Sequence, residues 1–443
     1  MYLIVPVITG TGVAMITVAE INDIDRLDHF RLAWRALLGK TKGATFAHSP
    51  EWLEHYWNHF GHNQKLRILF VTLGNKIIGI VPLVVKPVAT KIGTVRVLTY
   101  PLDGWGTFYG QIGSNPAATM VTAMRHVHAS RRDWDLIDLR YIDQEGHDRQ
   151  RTLNSFKSVG FQSNQSVWQK SPLINTSEAN WEDYLASRTD KTQQQIAKAD
   201  QLSRKQGPIA FYRSRLEDPS APGWNPRWDL WAEFQRMNFL DGNQLNIAGG
   251  HFSQNKKLSF LHDIHGPAVR SGTARIDALF VNHSLVACAY GLQHGSGTDY
   301  LAVGRRDTAP REVITTLITR MVQQSIQDGE PSLNLGLVGN RLSGMWSNQL
   351  QTSYRCSHFP ITAPRSQLLR MNRWIQKPAL QPMGKKKSKA DSGINVSSAP
   401  KLTPPEKPDS CIEIADDAPQ DWSGQHKVRS GSTEDRPRFR IVG

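Results

Sequence analysis

One stretch limits what this chain can fold into more than any other: residues 298–337 read TDYLAVGRRDTAPREVITTLITRMVQQSIQDGEPSLNLGL. Tyr300 to Val303 form a strand-like run, GRRDTAPREV is a charged turn, a helical pattern runs from about Pro310 to Gln327, and SLNLGL returns as a strand. A long helix between two strands is the crossover that parallel strands require. A helix beginning where a strand ends aims unpaired backbone N–H groups and a positive dipole end at whatever lies there, which suits a pyrophosphate. Arg305, Arg306 and Arg311 stand in that turn to add charge-assisted hydrogen bonds. Gly304 is the one glycine near the turn, so this is neither a Walker loop nor a dinucleotide fingerprint. A solvated basic turn capping a structural helix accounts for the same residues.

Two passages share this order. In SPEWLEHYWNHF, residues 49–60, Ser49 is an N-cap, Pro50 takes the first helical position, and Trp52, Leu53, Tyr56, Trp57 and Phe60 make one apolar face. LRILFVTLGNKIIGIVPLVVKP follows as two β-branched runs about a GNK turn, a hairpin signal. TVRVLTYP leads through the glycine-rich LDGWGTFYGQIG to a helix from about Pro116 to Ser130, and WDLIDLRYI closes the passage as a buried strand. From about residue 160 the order recurs in longer form. The strand-like FQSNQSVWQKSPLIN precedes a polar helix over 181–206, the strand IAFYRSR, helices in WDLWAEFQRMNF and NKKLSFLHDIHGPAVRSG, and three strands with turns at VNHS and HGSGT. Antiparallel strands first and a crossover helix late predict a mixed α/β (α+β) sheet in two repeats, residues 1–155 and 156–372. Residues 373–443 are rich in Pro, Lys and Ser and predict a disordered basic tail.

A chain of 443 residues exceeds the size at which one core usually stops growing, consistent with two repeats. The formal charge of +14 draws the chain toward polyanions, although GKKKSK and DRPRFR near the C-terminus supply part of it. Arg188, Lys191, Lys198, Arg204 and Lys205 on the polar helix admit a tRNA-binding face, and a solvated helix face explains them equally. Cys288, Cys356 and Cys411 are too few and too scattered for a disulfide framework or a zinc site, which points to a reducing cytoplasm. The histidine pairs 126/128 and 262/265 have no second cluster at ligand spacing, so no metal is expected. MYLIVPVITGTGVAM is short for a bilayer span and lacks a basic flank; it reads as a first strand, with Met15 as an alternative start.

FAHSPEWLEHYW, IIGIVPLVV, SRTDKTQQQIAKADQLSRKQG, SLVACAYGLQHGSGTDYLAVGRRD and LNLGLVGNRLSGMW, in that order, resemble the GNAT acyltransferase superfamily over most of residues 15–360. Its double-repeat branch, the CelD-like acetyltransferases associated with cellulose biosynthesis, is the nearest pattern, with Fem-type aminoacyltransferases as cousins. The resemblance implies tandem GNAT folds, acetyl-CoA or another acyl-CoA as donor, and an amine or hydroxyl acceptor on a small molecule or cell-envelope precursor. Carried over, the thioester strand is Tyr300 to Gly304, including Val303, and the phosphate loop runs Arg306 to Arg311 through Thr308 and Ala309, with Asn334 across the splay.

Departures from the pattern stand beside it. Ala309-Pro310-Arg311 replaces a Ser-Pro-Gly-like turn, Asn334-Leu335-Gly336 replaces an Asp-Phe-Gly-like strand end, and Ser343-Gly344 precedes Met345-Trp346 where a Tyr-Lys pair is usual. A catalytically degenerate binding protein and an aminoacyl-tRNA-dependent transferase therefore remain as alternatives. Deprotonating an ammonium acceptor needs a base, for which Asp277, Asp299 and His294 are candidates by position. Tyr290 and Tyr300 are candidates to protonate the leaving thiolate, and both also fit as packing residues. LDGWGTFYG either lines an acceptor cleft between the repeats or plugs the core with Trp105 and Tyr109.

Overall fold

The computed structural model describes residues 3–9, 12–90, 92–177, 180–214, 225–239, 254–336 and 340–375. From residue 376 the expected tail lies outside the described residues. The apolar N-terminal run forms an antiparallel hairpin, β1 (Leu3–Thr9) with β2 (Gly12–Ile21). Helix α1 (Arg31–Leu38) precedes α2 (Pro50–Phe60), which starts as its sequence predicts: the Ser49 hydroxyl accepts from the Trp52 amide at 3.0 Å and Pro50 opens the first turn. The hairpin β3 (Lys65–Leu73) and β4 (Lys76–Thr90), then β5 (Gly93–Thr99), extend the antiparallel sheet. Helix α3 (Pro116–Ala129) crosses over to β6 (Leu136–Ile142), which pairs parallel with β5 at Val97–Leu136 and Leu98–Ile137.

After α4 (Arg151–Ser158) and the long β7 (Ser163–Asn175) the chain repeats these steps. The polar helix expected over 181–206 is two helices, α5 (Trp181–Ala186) and α6 (Asp190–Lys205). Thr189 separates them, because its hydroxyl takes the Thr192 amide as an N-cap at 3.3 Å. β8 (Ile209–Arg213), α7 (Trp228–Gln235), β9 (Asn238–Phe239) and α8 (Gln254–Arg270) lead to the antiparallel strands β10 (Ala274–Val281), β11 (Ser284–His294) and β12 (Gly297–Arg305). Helix α9 (Glu312–Gln327) then crosses to β13 (Ser332–Asn334), parallel to β12. α10 (Asn340–Trp346), β14 (Gln349–His358) and α11 (Pro364–Ile375) complete the described chain.

The described strands join one sheet in the order β1-β2-β3-β4-β5-β6-β14-β7-β13-β12-β11-β10-β8, with β9 branching from β12. The fold is thus a mixed α/β sheet in which antiparallel strands followed by a parallel crossover occur twice. β14 lies between β6 and β7, so the last strand of the second passage joins the sheet of the first. Residues 1–379 form one compact unit.

Two apolar clusters sandwich the second sheet region. Leu279, Ala289, Tyr300 and Val303 pack with Val313, Leu317 and Met321 of α9. Ile276, Ala278, Cys288 and Tyr290 pack the other way, in the cluster that holds Trp231 of α7 and Ile264 of α8. This is the two-residue alternation of a strand covered on both faces. Phe260 of α8 seats its ring against Trp52, Phe60 and Trp105 at 4.8–5.1 Å between centroids, tying the second passage to α2. Truncating it to alanine would cost about 3–5 kcal/mol.

Candidate functional site

β12 and β13 pair over only two positions, Thr298–Leu333 and Asp299–Asn334. Gly297 sets that junction: at φ +140° it lets the Ser332 carbonyl approach so closely that a Cβ would sit 2.2 Å from the oxygen. Past Asp299 the strands part, and among the described residues the β12 edge that β13 leaves is met only at Gly304 and Arg305, by β9. Tyr300 to Val303 therefore carry a strand edge with no ladder partner among the described residues, a splay that admits an extended ligand by β-addition.

The expected phosphate loop follows. The Ala309 amide bonds the Arg306 carbonyl and the Val313 amide the Pro310 carbonyl, while among the described residues the amides of Asp307, Thr308, Arg311 and Glu312 carry no hydrogen bond. Arg311, at the N-cap of α9, offers no side-chain cap, and these donors lie at the positive end of the helix. The three arginines divide their roles. Arg305 turns inward and donates to the carbonyls of Arg306 (3.1 Å) and Ala309, bracing the loop. Arg306 donates to the Leu285 carbonyl at 2.7 Å and pairs with Glu233 of α7. Arg311 is exposed without an ion pair among the described residues, so it is the cation of the three left for a ligand.

The four catalytic candidates separate into two groups. Asp277 is fully buried, takes two hydrogen bonds from Arg213 at 2.9 and 3.1 Å, and accepts the Tyr300 hydroxyl. Gly291 leaves room for that contact, because a Cβ there would press the Tyr300 ring at 3.0 Å. Burial, then the Asp277 charge, pushes the Tyr300 phenol far above the usual range. Asp277 and Tyr300 thus clamp β10 to β12. Beside it Glu330 takes Arg275 at 2.7 Å, Ser325 at 2.7 Å and the Thr298 hydroxyl. Tyr290 lies in the α7–α8 core against Trp231.

His294 and Asp299 sit together instead, His294 Nε2 to Asp299 Oδ2 at 3.6 Å, with His294 Nδ1 3.0 Å from the Ser296 hydroxyl. Burial would lower the imidazole pKa, but the Asp299 carboxylate, with the Glu330 charge behind it, raises it overall. Asn334 Nδ2 donates at 2.7 Å both to Asp299 and to the Thr107 hydroxyl, and its Oδ1 accepts the Gly336 amide at 2.9 Å. An aspartate at 334 would set two carboxylates face to face, so the amide fits the partners this chain supplies. Thr107 stands in LDGWGTFYG, whose Trp105 and Tyr109 are buried in the core. That loop both plugs the core and reaches the splay. Sequence reasoning missed Thr107 as a partner, since it lies 227 residues from Asn334.

Among the described residues no group of three His, Cys, Asp or Glu is placed to hold a metal, and no helix is long and apolar enough to cross a membrane. No curated protein sequence matches the chain. Among solved structures it is similar to FemX (10% identity, 76% of this chain and 98% of that one, TM-score 0.48). It is also similar to L-PGS from Bacillus licheniformis (12%, 77% and 96%, TM-score 0.43) and to a tandem GNAT protein from the clavulanic acid biosynthesis pathway (7%, 78% and 99%, TM-score 0.37). Residues 190–341, which carry β10 to β13, the splay, the loop and α9, match the acetyltransferase (GNAT) domain family.

Proposed function

We propose that this protein transfers an acetyl or other acyl group from an acyl-CoA to an amine or hydroxyl of a small-molecule or cell-envelope acceptor. The observation that carries this reading is the edge of Tyr300 to Val303, without a ladder partner among the described residues, running into a loop with four amides likewise unpaired among them. A pantetheine arm suits the edge by β-addition, and a pyrophosphate suits Arg311 with the amides of residues 307, 308, 311 and 312. Transfer forms a C–N or C–O bond as the thioester C–S bond breaks, moving one proton off the acceptor and one onto the thiolate. His294, whose pKa Asp299 raises, suits delivery of the second proton, and Asn334, itself bonded to Thr107, holds Asp299 in place. A CelD-like affiliation and a cytoplasmic location belong to this same reading.

Calorimetric titration with acetyl-CoA tests it. Saturable binding is expected, weakened about tenfold or more by Arg311→Glu, since a charged hydrogen bond is worth about 1.5–3 kcal/mol. Absence of heat in the wild-type protein would sink the reading. A second reading, binding without catalysis, is favoured by the pairing of β9 with Gly304 and Arg305, which takes part of the donor edge. It predicts that absence.

A further inference from the structure

The first passage holds a cavity of about 490 Å³ where α3 begins, and no residue of the Arg306–Arg311 loop lines it. Lys40, Lys42, Arg149 and Arg151 line it, against two carboxylates, Asp143 and Asp148. Both carboxylates are spent on their own turn. Asp143 takes the amides of Gly146 and His147 at 2.8 and 3.0 Å, and Asp148 takes the Thr152 amide at 3.1 Å and its hydroxyl at 2.6 Å. The cations are not spent in that way. Arg149 and Arg151 touch only the neutral carbonyls of Gly146, His147 and Asp148, and Lys40 and Lys42 are exposed with no ion pair among the described residues. An excess of positive charge therefore faces an opening large enough for a phosphorylated small molecule.

A second, independent feature points into the same space. His48 is only 5% exposed and lines the cavity. Its Nδ1 is taken by the Thr45 amide at 3.2 Å, which leaves Nε2 with the proton and with no partner among the described residues. His48 therefore offers the cavity an N–H donor that meets no partner among the described residues and is open to a ligand. Tyr109 stacks flat on that imidazole, with centroids 4.6 Å apart, and fixes its plane.

The cavity also leads somewhere. Phe108, Tyr109 and Gly110 form part of its wall, and Thr107, one residue earlier, bonds Asn334 at the splay. Asn334 in turn bonds Asp299, the partner of His294.

We propose that this cavity is an anion site for a phosphate ester or diphosphate, anchored by Lys40, Lys42, Arg149, Arg151 and the His48 Nε2 donor, and that it holds the charged end of the acceptor while the rest extends along the Thr107 loop to His294. The acceptor assignment rests on the acyl-transfer reading; the anion site does not.

The test is calorimetric titration of the full chain at low salt with inorganic pyrophosphate and, separately, with coenzyme A. In the Arg311→Glu background, which silences the loop before α9, pyrophosphate is expected to bind one site, about tenfold or more weaker when Lys40→Glu/Lys42→Glu is added. Gly110→Trp should block it, since a Cβ at Gly110 meets nothing within 4 Å and a large side chain can grow into the space without disturbing the fold. Arg311→Glu should weaken coenzyme A and remove only the pyrophosphate bound at the loop before α9, leaving that in the cavity, while Gly110→Trp should leave coenzyme A unchanged. Wild-type pyrophosphate affinity in both cavity variants, or no binding at millimolar concentration, overturns the site. Coenzyme A that binds Arg311→Glu and is lost only with Gly110→Trp overturns the acceptor assignment, because the cavity then receives a donor molecule. Coenzyme A that binds nowhere while pyrophosphate still binds the cavity sinks acyl transfer, and with it the acceptor role, but supports the anion site.

Discussion

Replacing Arg213 with methionine leaves the Asp277 carboxylate in a fully buried site with the Tyr300 hydroxyl as its remaining donor from the clamp. The lost guanidinium also served the Ser325 hydroxyl at 2.9 Å and the Met321 carbonyl at 3.0 Å, so β8, β10 and α9 lose a common tie. Breaking one side of a buried ion pair costs about 3–5 kcal/mol, most of it the unpaired charge left behind. Removing the charge as well, in Arg213→Met/Asp277→Leu, should recover most of that loss. Tyr300 would then lack an acceptor at about 1–3 kcal/mol, and adding Tyr300→Phe should return that portion too. Urea unfolding followed by tryptophan fluorescence reads each step as a shift in midpoint at constant slope. If Arg213→Met lies within about 1 kcal/mol of wild type, or the double variant is no more stable than the single, the clamp does not carry the load assigned to it. Asp277→Asn adds a functional arm: a structural Asp277 predicts falling stability with activity in proportion to folded protein. Lost turnover at full stability would make it the base after all.

Gly297→Ala should destabilise the protein by about 2 kcal/mol or more and weaken acetyl-CoA binding, because its Cβ would drive Ser332 off β12 at the root of the splay. Unchanged urea midpoint and affinity would show that the junction relaxes freely. Stability should also fall as pH drops from about 6.5 to about 4: burial pushes His48 and His265 down to about 4, so over that window the unfolded chain binds protons the folded chain refuses. Two such groups give a slope of up to about 2.7 kcal/mol per pH unit, and a flat urea midpoint between pH 7 and 5 would contradict it.

Elements with a strong local signal were legible before any coordinates. The Ser49-Pro50 start of α2, the β3–β4 and β10–β11 hairpins and the crossover helices α3 and α9 all stand where periodicity and turn chemistry put them. At Asn282 and His283 the chain takes φ of +47° and +62°, the twist a two-residue hairpin turn demands. β14 escaped notice because QLQTSYRCSH carries few apolar residues: its hydrogen-bonding partners lie on both sides, but much of its surface stays half-exposed. Of the candidate site, the sequence names the loop before α9 and, singly, His294 and Asp299, but not their approach to 3.6 Å. The roles of Arg305 and Arg306 were not, since Glu233 and the Leu285 carbonyl reach them from distant elements. Nothing local distinguishes Asp277, on a strand, as a clamp; its partner Arg213 stands 64 residues earlier.

The position of β14 has a consequence for how the chain is made. During synthesis β6 emerges long before residue 349, so its outer edge, Leu136–Ile142 with every residue buried in the finished protein, has no permanent neighbour until the ribosome has delivered nearly the whole second passage. Nascent polypeptides stalled before that point should expose a sticky ribbon of backbone and depend on chaperones, and sheet closure becomes a late event rather than a stepwise one.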